Sequence, residues 1–563
     1  MDSANSQIFV SGTSYLMPSD SSWTKLSAKH QVKFGAYADL TSAYFDTPSE
    51  SILVYVMFFL DYLDFQKDDS VEHISIFDSI IQLLTERLKT SPSPLLFCFS
   101  EVAHRSLIKE GRKPFVFEDA TRDFKKRVYK LAESHSNLFL VNLDIEFSKY
   151  GTQQVFDNRN WYFAHSRLST FGLSILVNSI DVTVNRIYRP AAKVLVLDCD
   201  HTLWGGVVGE DGIAGLILGQ DGVGEIFQDF QRVILAIAKR GILIALVSKN
   251  NENDVWQVFD SHPGMILKKK DISAWRINWE EKSQNIRELA NELDLGLDSF
   301  VFWDDNPLER ERVQHLLPEV ETVDTTVELF EWPNKLSTFV SLTNFIVTED
   351  DLHKSDQYRS RLKFKRDQNL VFDKSEYLKS ISLNPLSLEI SEGNILRAEQ
   401  LCMKTNQYNL RTQRHSRISI ERIISSNPNL NFIVSLKDKY GDHGLAGLVL
   451  VEQLDANYAF LDTFLLSCRV LGRYLESWML METLKRCREE KIGHLIGEFI
   501  PSGKNAVAEE FFEIYNFQNL KTENSIQEVI KKKNLQISDN IYMISAEIEE
   551  IPYSEIYESH KPA

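Results

Sequence analysis

Only five cysteines occur in the 563 residues, Cys98, Cys199, Cys402, Cys468 and Cys487, and no two form a Cys-x-x-Cys pair. Neither a disulfide framework nor a zinc site is expected, and any cysteine that matters acts as a thiol. Long apolar runs are missing too. The longest, such as SILVYVMFFLDYL at 51–63, are short and broken by acids, and MDSANSQIFVSGTSYLMPSD at the start lacks the charged opening and unbroken apolar stretch of a secretory leader. Both absences predict a cytoplasmic protein with no membrane partner. Positive charge is in deficit: 62 Lys and Arg stand against 80 Asp and Glu, a net charge of −18. Broad binding to a phosphate backbone is thereby disfavoured, and no nucleic-acid partner is expected. No internal repeat or low-complexity tract is present, which excludes a solenoid.

What remains is enough for several cores. The chain is 43% hydrophobic, and a single core rarely grows past about 250–300 residues, so three α/β domains are expected. Residues 1–190 mix strand-like runs (LLFCFS at 95–100, LFLVNLDI at 138–145) with a helix-like one (HISIFDSIIQLLTERLKT at 73–90). Ser11 and Ser14 in FVSGTSY lack the surroundings that expose a seryl nucleophile. Across 191–345, KVLVLDCD, GILIALVSKN and SFVFWDDN alternate with helix-like segments, which predicts a doubly wound parallel sheet. The charged stretch 346–380 reads as a helical connector. A further α/β region spans 381–550, with strands in NFIVSLKD, GLAGLVLVEQL and YAFLDTFLLS and a helix from near Gly472, and 551–563 is a tail.

The three middle runs each end in polar groups: Asp198 and Asp200, then Ser248, Lys249 and Asn250, then Asp304 and Asp305. Ligands of doubly wound sheets bind outside the carboxyl ends of the strands, so these groups converge on one crevice. Carboxylates from two strand ends form a hard-oxygen pocket suited to Mg²⁺ held by Asp198, Asp200, Asp304 and Asp305. Such a pocket suits an aspartate attacking phosphorus, with a second acid two residues on to protonate the leaving oxygen and later activate water. Ser248, with Thr202, Lys249 and Asn250 beside it, can hydrogen-bond a phosphoryl oxygen, and Lys282 in NWEEKSQNI can supply positive charge.

The order DxDxT, a strand ending in Ser, Lys, then DD resembles the haloacid dehalogenase superfamily. The resemblance implies Asp198 as nucleophile, Asp200 as general acid and base, Ser248 and Lys282 as phosphate holders, and Asp304, assisted by Asp305, as magnesium ligand. A closer resemblance, to the FkbH-like family, rests on DCDHTLWGGVVGEDG (198–212), FWDDNPLERERV (302–313), KTNQYNL (404–410), YGDHGLAG (440–447) and LSCRVLGR (466–473). It implies a non-catalytic N-terminal domain like the SGNH hydrolases, a haloacid dehalogenase-like domain and a C-terminal domain like the GNAT acyltransferases. It further implies a glyceryltransferase/phosphatase that dephosphorylates 1,3-bisphosphoglycerate and loads the glyceryl group, through a cysteine thioester, onto the phosphopantetheine thiol of an acyl carrier protein for polyketide assembly. A phosphatase acting on another metabolite and an acyl-CoA transferase are the alternatives.

Two thiols compete for the acyl group. Cys199 lies between the catalytic aspartates, though strict strand alternation would turn it away from them. Cys468 stands at the head of a predicted helix beside Arg469, where a thiol pKa falls. Cys98, Cys402 and Cys487 read as packing residues. The Arg469-Val-Leu-Gly472-Arg473 stretch resembles the GNAT pyrophosphate loop, with Tyr474 where that loop has a small residue. Together with Asn505 and Tyr515 it is expected to line a groove for the phosphopantetheine arm, and His443, oriented by Asp442, is expected to act as base on the carrier thiol. RSRLKFKR (359–366) is a basic candidate for docking an acidic carrier.

Overall fold

Strands that are apolar at every position cannot face water on either side, and they assemble as parallel sheets covered by helices. ILVYVMF, LLFCFS, VLVL, LIALVS and FVFW are buried throughout. The computed structural model describes residues 6–45, 47–48, 51–62, 71–101, 116–188, 191–343, 345, 354–369, 373–520 and 541–560.

The first compact unit contains a five-stranded parallel sheet of order β2-β1-β3-β4-β5, built from β1 (Gln7–Gly12), β2 (Gln31–Phe34), β3 (Ile52–Phe58), β4 (Leu95–Ser100) and β5 (Leu138–Asn142). Helices α1 (Val71–Thr90), α2 (Val116–Ser134) and α3 (Thr170–Tyr188) belong to it. The run 138–145 divides because the Asn142 side chain accepts from the Asp144 N–H and starts a helix at Leu143. Ser14 and Thr13 both donate at 2.6 Å to Asp61, which is buried against Arg167, and Ser11 donates to the Ala36 carbonyl. These hydroxyls are committed to internal acceptors.

The second unit carries two sheets. One is parallel, of order β10-β9-β6-β7-β8, with β6 (Val194–Leu197), β7 (Leu243–Ser248), β8 (Ala274–Ile277), β9 (Phe300–Trp303) and β10 (Glu321–Thr322). Its helices include α4 (Val223–Ala238), α5 (Glu252–Ser261), α6 (Lys282–Leu293) and α7 (Pro307–Leu316). After helix α8 (Lys354–Asn369) comes the mainly antiparallel third sheet: β11 (Asn384–Glu389), β12 (Tyr408–Asn409), β13 (Phe432–Asp438), β14 (Gly441–Gln453), β15 (Tyr458–Leu466), β16 (His494–Glu498), β17 (Gln518–Asn519) and β18 (Ile541–Ser545). Strands β15 and β16 pair in parallel only over Tyr458–Phe460; beyond that β12 takes the free edge of β15, with Asn409 opposite Leu465.

The chain forms two compact units, Met1–Pro190 with Ser416–Ser419 and Ala191–His415 with Ile420–Ala563, and the second holds both the second and the third sheet. The second and third sheets are joined by side chains. Arg361 and Lys365 of α8 both pair with Asp294 after α6, Gln407 donates to the Asp294 carbonyl at 2.8 Å, and Lys504 reaches Asp298. Residues 551–557 are no free tail either: Ile551, Ile556 and Tyr557 are buried in the core of the third sheet.

Candidate active site

At the end of β6 the ladder continues one residue past the strand, the Asp198 N–H donating to the Trp303 carbonyl at 3.2 Å. The chain then turns sharply, with both Thr202 and Leu203 N–H groups on the Cys199 carbonyl and His201 in the left-handed region at φ 54°. The Asp198 side chain is thereby presented toward the end of β9, where Asp304 and Asp305 follow directly. Carboxylate oxygens of Asp198, Asp304 and Asp305 lie within 4.8 Å of one another. Lys282, the first residue of α6, places Nζ 2.8 Å from Asp198 and 2.6 Å from Asp304. It is buried, and although burial alone would lower its pKa, the two carboxylates raise it, so the ammonium stays charged.

Three carboxylates share that one ammonium. Burial, then the charge of Asp198, pushes the fully buried Asp304 up to about 7, and the same two causes raise Asp305. A cluster of hard oxygens with excess negative charge fits Mg²⁺, which relieves the repulsion and accepts oxygen ligands alone. The loop carrying Asp304 and Asp305 is fixed from behind: Arg310 of α7 donates to both their carbonyls, at 2.9 and 2.6 Å, and Thr325 donates to the Asp304 carbonyl at 2.8 Å. Sequence reasoning missed Arg310 and Thr325; the DDNPLER run, with Asn306 capping α7 and Pro307 at its first turn, was the available signal for Arg310.

Asp200 departs from its expected role as a metal ligand. Its carboxylate lies outside the cluster and accepts from Asn250 Nδ2 at 2.7 Å, Trp204 Nε1 at 2.8 Å and the Val208 N–H at 3.1 Å. Trp204 is a partner that the sequence did not reveal. Thr202 donates to Asp305 at 3.2 Å, Lys249 pairs with Glu309 at 3.0 Å, and Ser248, at the end of β7, hydrogen-bonds the Cys199 thiol. Four of the five expected phosphate holders, Thr202, Ser248, Lys249 and Asn250, therefore lie just past the carboxyl ends of β6 and β7, engaged with neighbouring side chains, and the fifth, Lys282, starts α6.

Cys199 requires correction as an acyl acceptor. It is fully buried among Leu197, Leu203 and Trp204, and burial, followed by the charges of Asp198 and Asp200, pushes its thiol well above the ordinary range. A buried protonated thiol is a poor nucleophile.

The expected carrier groove is also revised. Arg473 is buried, paired with Asp438 at 2.7 Å and stacked on Phe364 of α8. Arg469 donates to Gln357 and the Leu445 carbonyl, and the Gly472 carbonyl accepts from Gln368 of α8. Asn505 spends its amide on the Asn409 and Ile500 carbonyls, and the Tyr515 hydroxyl meets Ser477 at 2.8 Å. Tyr474 stacks on Tyr553 with ring centroids 4.0 Å apart. Thus the side chains expected to line a phosphopantetheine groove are engaged with α8, β12 and Tyr553. His443 is buried, with Nε2 2.9 Å from Asp438; Asp442, the expected partner, pairs with Lys437 instead. Burial holds His443 below its ordinary pKa. In RSRLKFKR, Arg361 and Lys365 are committed to Asp294, Arg359 pairs with Asp356, and Lys363 is exposed.

No family profile and no curated protein matches the sequence. Among solved structures, the N-terminal part of the protein BF1531 from Bacteroides fragilis, containing a phosphatase domain complexed with Mg, matches 60% of this chain and 93% of its own, at 23% identity and a TM-score of 0.52. The chain shares that fold. Other solved structures that match are Ard1 from Thermoplasma volcanium (14% identity, 29% of this chain and 97% of that one, TM-score 0.21) and the ribosomal-protein-S18-alanine N-acetyltransferase from Escherichia coli (11%, 30% and 97%, TM-score 0.21). Among the described residues, no helix is long and apolar enough to cross a membrane.

Proposed function

We propose that the chain is a cytoplasmic magnesium-dependent phosphotransferase of the haloacid dehalogenase type, which removes a phosphate ester through an aspartyl phosphate on Asp198. The observation that carries this reading is the cluster of Asp198, Asp304 and Asp305 around Lys282 at the carboxyl ends of β6 and β9. Asp198, Asp304 and Asp305 would hold Mg²⁺, which supplies charge neutralisation between the nucleophile and the phosphoryl oxygens. Asp198 attacks phosphorus, and Lys282, locked between Asp198 and Asp304, orients the nucleophile and offers positive charge to the transferring group. Asp200, two residues on and fixed by Asn250 and Trp204, is placed to give a proton to the leaving oxygen and later to take one from water.

The FkbH-like motifs supply the finer reading: the substrate is 1,3-bisphosphoglycerate, and the glyceryl group leaves as a thioester on the phosphopantetheine thiol of an acyl carrier protein. An acyl phosphate is already activated, so a thiolate captures the acid without ATP. Asp198→Asn should abolish Mg²⁺-dependent release of the ester phosphate while leaving the fold intact by circular dichroism. Undiminished release would refute the assignment.

A further inference from the structure

The core of the first unit holds a positive charge that the chain does not balance. Arg87, in the last turn of α1, is 8% exposed, and its neighbours Leu84 and Leu88 belong to the apolar cluster that also contains Leu53, Tyr55 and Phe97 of the sheet. A guanidinium cannot shed its proton, so burying it calls for a counter-charge. Arg167, Arg361, Arg411 and Arg473, equally buried, each face a carboxylate. Arg87 faces none: its Nε–H and Nη2 groups are buried without an acceptor among the described residues. A second polar group is stranded beside it. The helix Leu40–Phe45 packs against α1, and its Tyr44 is wholly buried with a hydroxyl that likewise has no partner among the described residues. The Tyr44 ring is fixed by stacking on Tyr55, with centroids 5.6 Å apart. Burial holds the Arg87 guanidinium below its ordinary value, and Tyr44 lies close enough to oppose that fall. Buried polar groups in native proteins are almost always satisfied, so a guanidinium and a hydroxyl left together in this state call for a bound acceptor.

We propose that Arg87 and the Tyr44 hydroxyl hold a small monovalent inorganic anion, of the class of chloride or bromide, where α1 meets the helix Leu40–Phe45. One negative charge neutralises the one guanidinium. A dianion such as phosphate would leave a net negative charge among Leu84, Leu88 and Tyr55, and it costs more to strip of water. The guanidinium and the hydroxyl both donate to the anion, which thereby ties α1 to the shorter helix over this face of β3. Because the anion binds only the folded unit, it stabilises that unit by mass action. The proposal stands apart from the phosphoryl-transfer reading and survives if that reading fails.

Hydrogen exchange of the full chain tests this, read by mass spectrometry on peptides covering Leu40–Phe45 and α1 while sodium bromide replaces sodium gluconate at constant ionic strength. In the wild type, exchange in these peptides should slow saturably, by about tenfold when bromide stands at roughly ten times its half-effect concentration, while peptides of β6 to β9 keep their rates. Arg87→Met should abolish the slowing. Tyr44→Phe keeps the ring on Tyr55 and removes only the hydroxyl, so it should raise the half-effect concentration about tenfold, and it decides the matter if Arg87→Met does not fold. No slowing, slowing shared equally by β6 to β9, slowing as large with sodium phosphate at the same ionic strength, or slowing undiminished in Tyr44→Phe would overturn the proposal.

Discussion

At the scale of single residues, the site is a competition between burial and charge. Lys282 keeps Asp198 and Asp304 compatible at close range, and its removal leaves two buried carboxylates facing each other. Lys282→Met should lower phosphate release by about 10²–10³-fold, the usual cost of deleting a positioned electrostatic group, and should weaken the response to Mg²⁺ in a steady-state phosphate assay. Cys199 behaves differently because its surroundings are apolar. Cys199→Ser should leave ester hydrolysis in place while costing about 1–2 kcal/mol in urea unfolding, since a hydroxyl replaces a buried thiol beside Leu203 and Trp204. The aspartates and Lys282 were legible in the sequence because strand ends in a doubly wound sheet converge. The state of each thiol was not, because it depends on which side of a turn the chain presents, and the turn at Cys199 to Leu203 is fixed by backbone hydrogen bonds that no pattern of residue types encodes.

At the scale of elements, strands with every position apolar were readable as parallel β-structure, and LLFCFS and YAFLDTFLLS emerge as β4 and β15 within a residue. Strand β8 escaped notice because its four residues include Arg276, whose guanidinium is drawn out to Glu288 and Glu292 of α6. The charged run in α8 reads on sequence as a solvated connector; its role as the join between two sheets lies in Asp294, an unremarkable residue after α6. Asp294→Ala should destabilise the second unit by about 2 kcal/mol in chemical denaturation, because it strands the buried Arg361 guanidinium without its carboxylate. Arg361→Met in the same background should recover part of that loss.

At the scale of the molecule, the third sheet adds a pH response. His443 is held neutral by burial, so below pH 6.5 the unfolded chain binds a proton that the native chain refuses. Asp438, buried with His443 and Arg473 against it, stays below its ordinary value of 3.8, and the same sign applies there. Between pH 6.5 and 4, His443 therefore subtracts stability as the pH drops while Asp304, raised to about 7, adds it; the share of His443 is the difference between the wild type and His443→Gln in thermal unfolding followed by circular dichroism, the wild type being expected to lose more stability than the variant as the pH falls. Whole-chain motifs indicated three kinds of domain, but not that side chains expected at the third domain's groove would be engaged by β12, α8 and Tyr553, since that depends on contacts between segments far apart in sequence. The central claim is that Asp198, Asp304, Asp305 and Lys282 form a magnesium-dependent phosphoryl-transfer centre. Its most direct test is the release of ester phosphate from 1,3-bisphosphoglycerate as Mg²⁺ is titrated, in the wild type and in Asp198→Asn. Saturable Mg²⁺-dependent release in the first and none in the second is predicted; release that ignores Mg²⁺, or that persists in Asp198→Asn, would contradict the account.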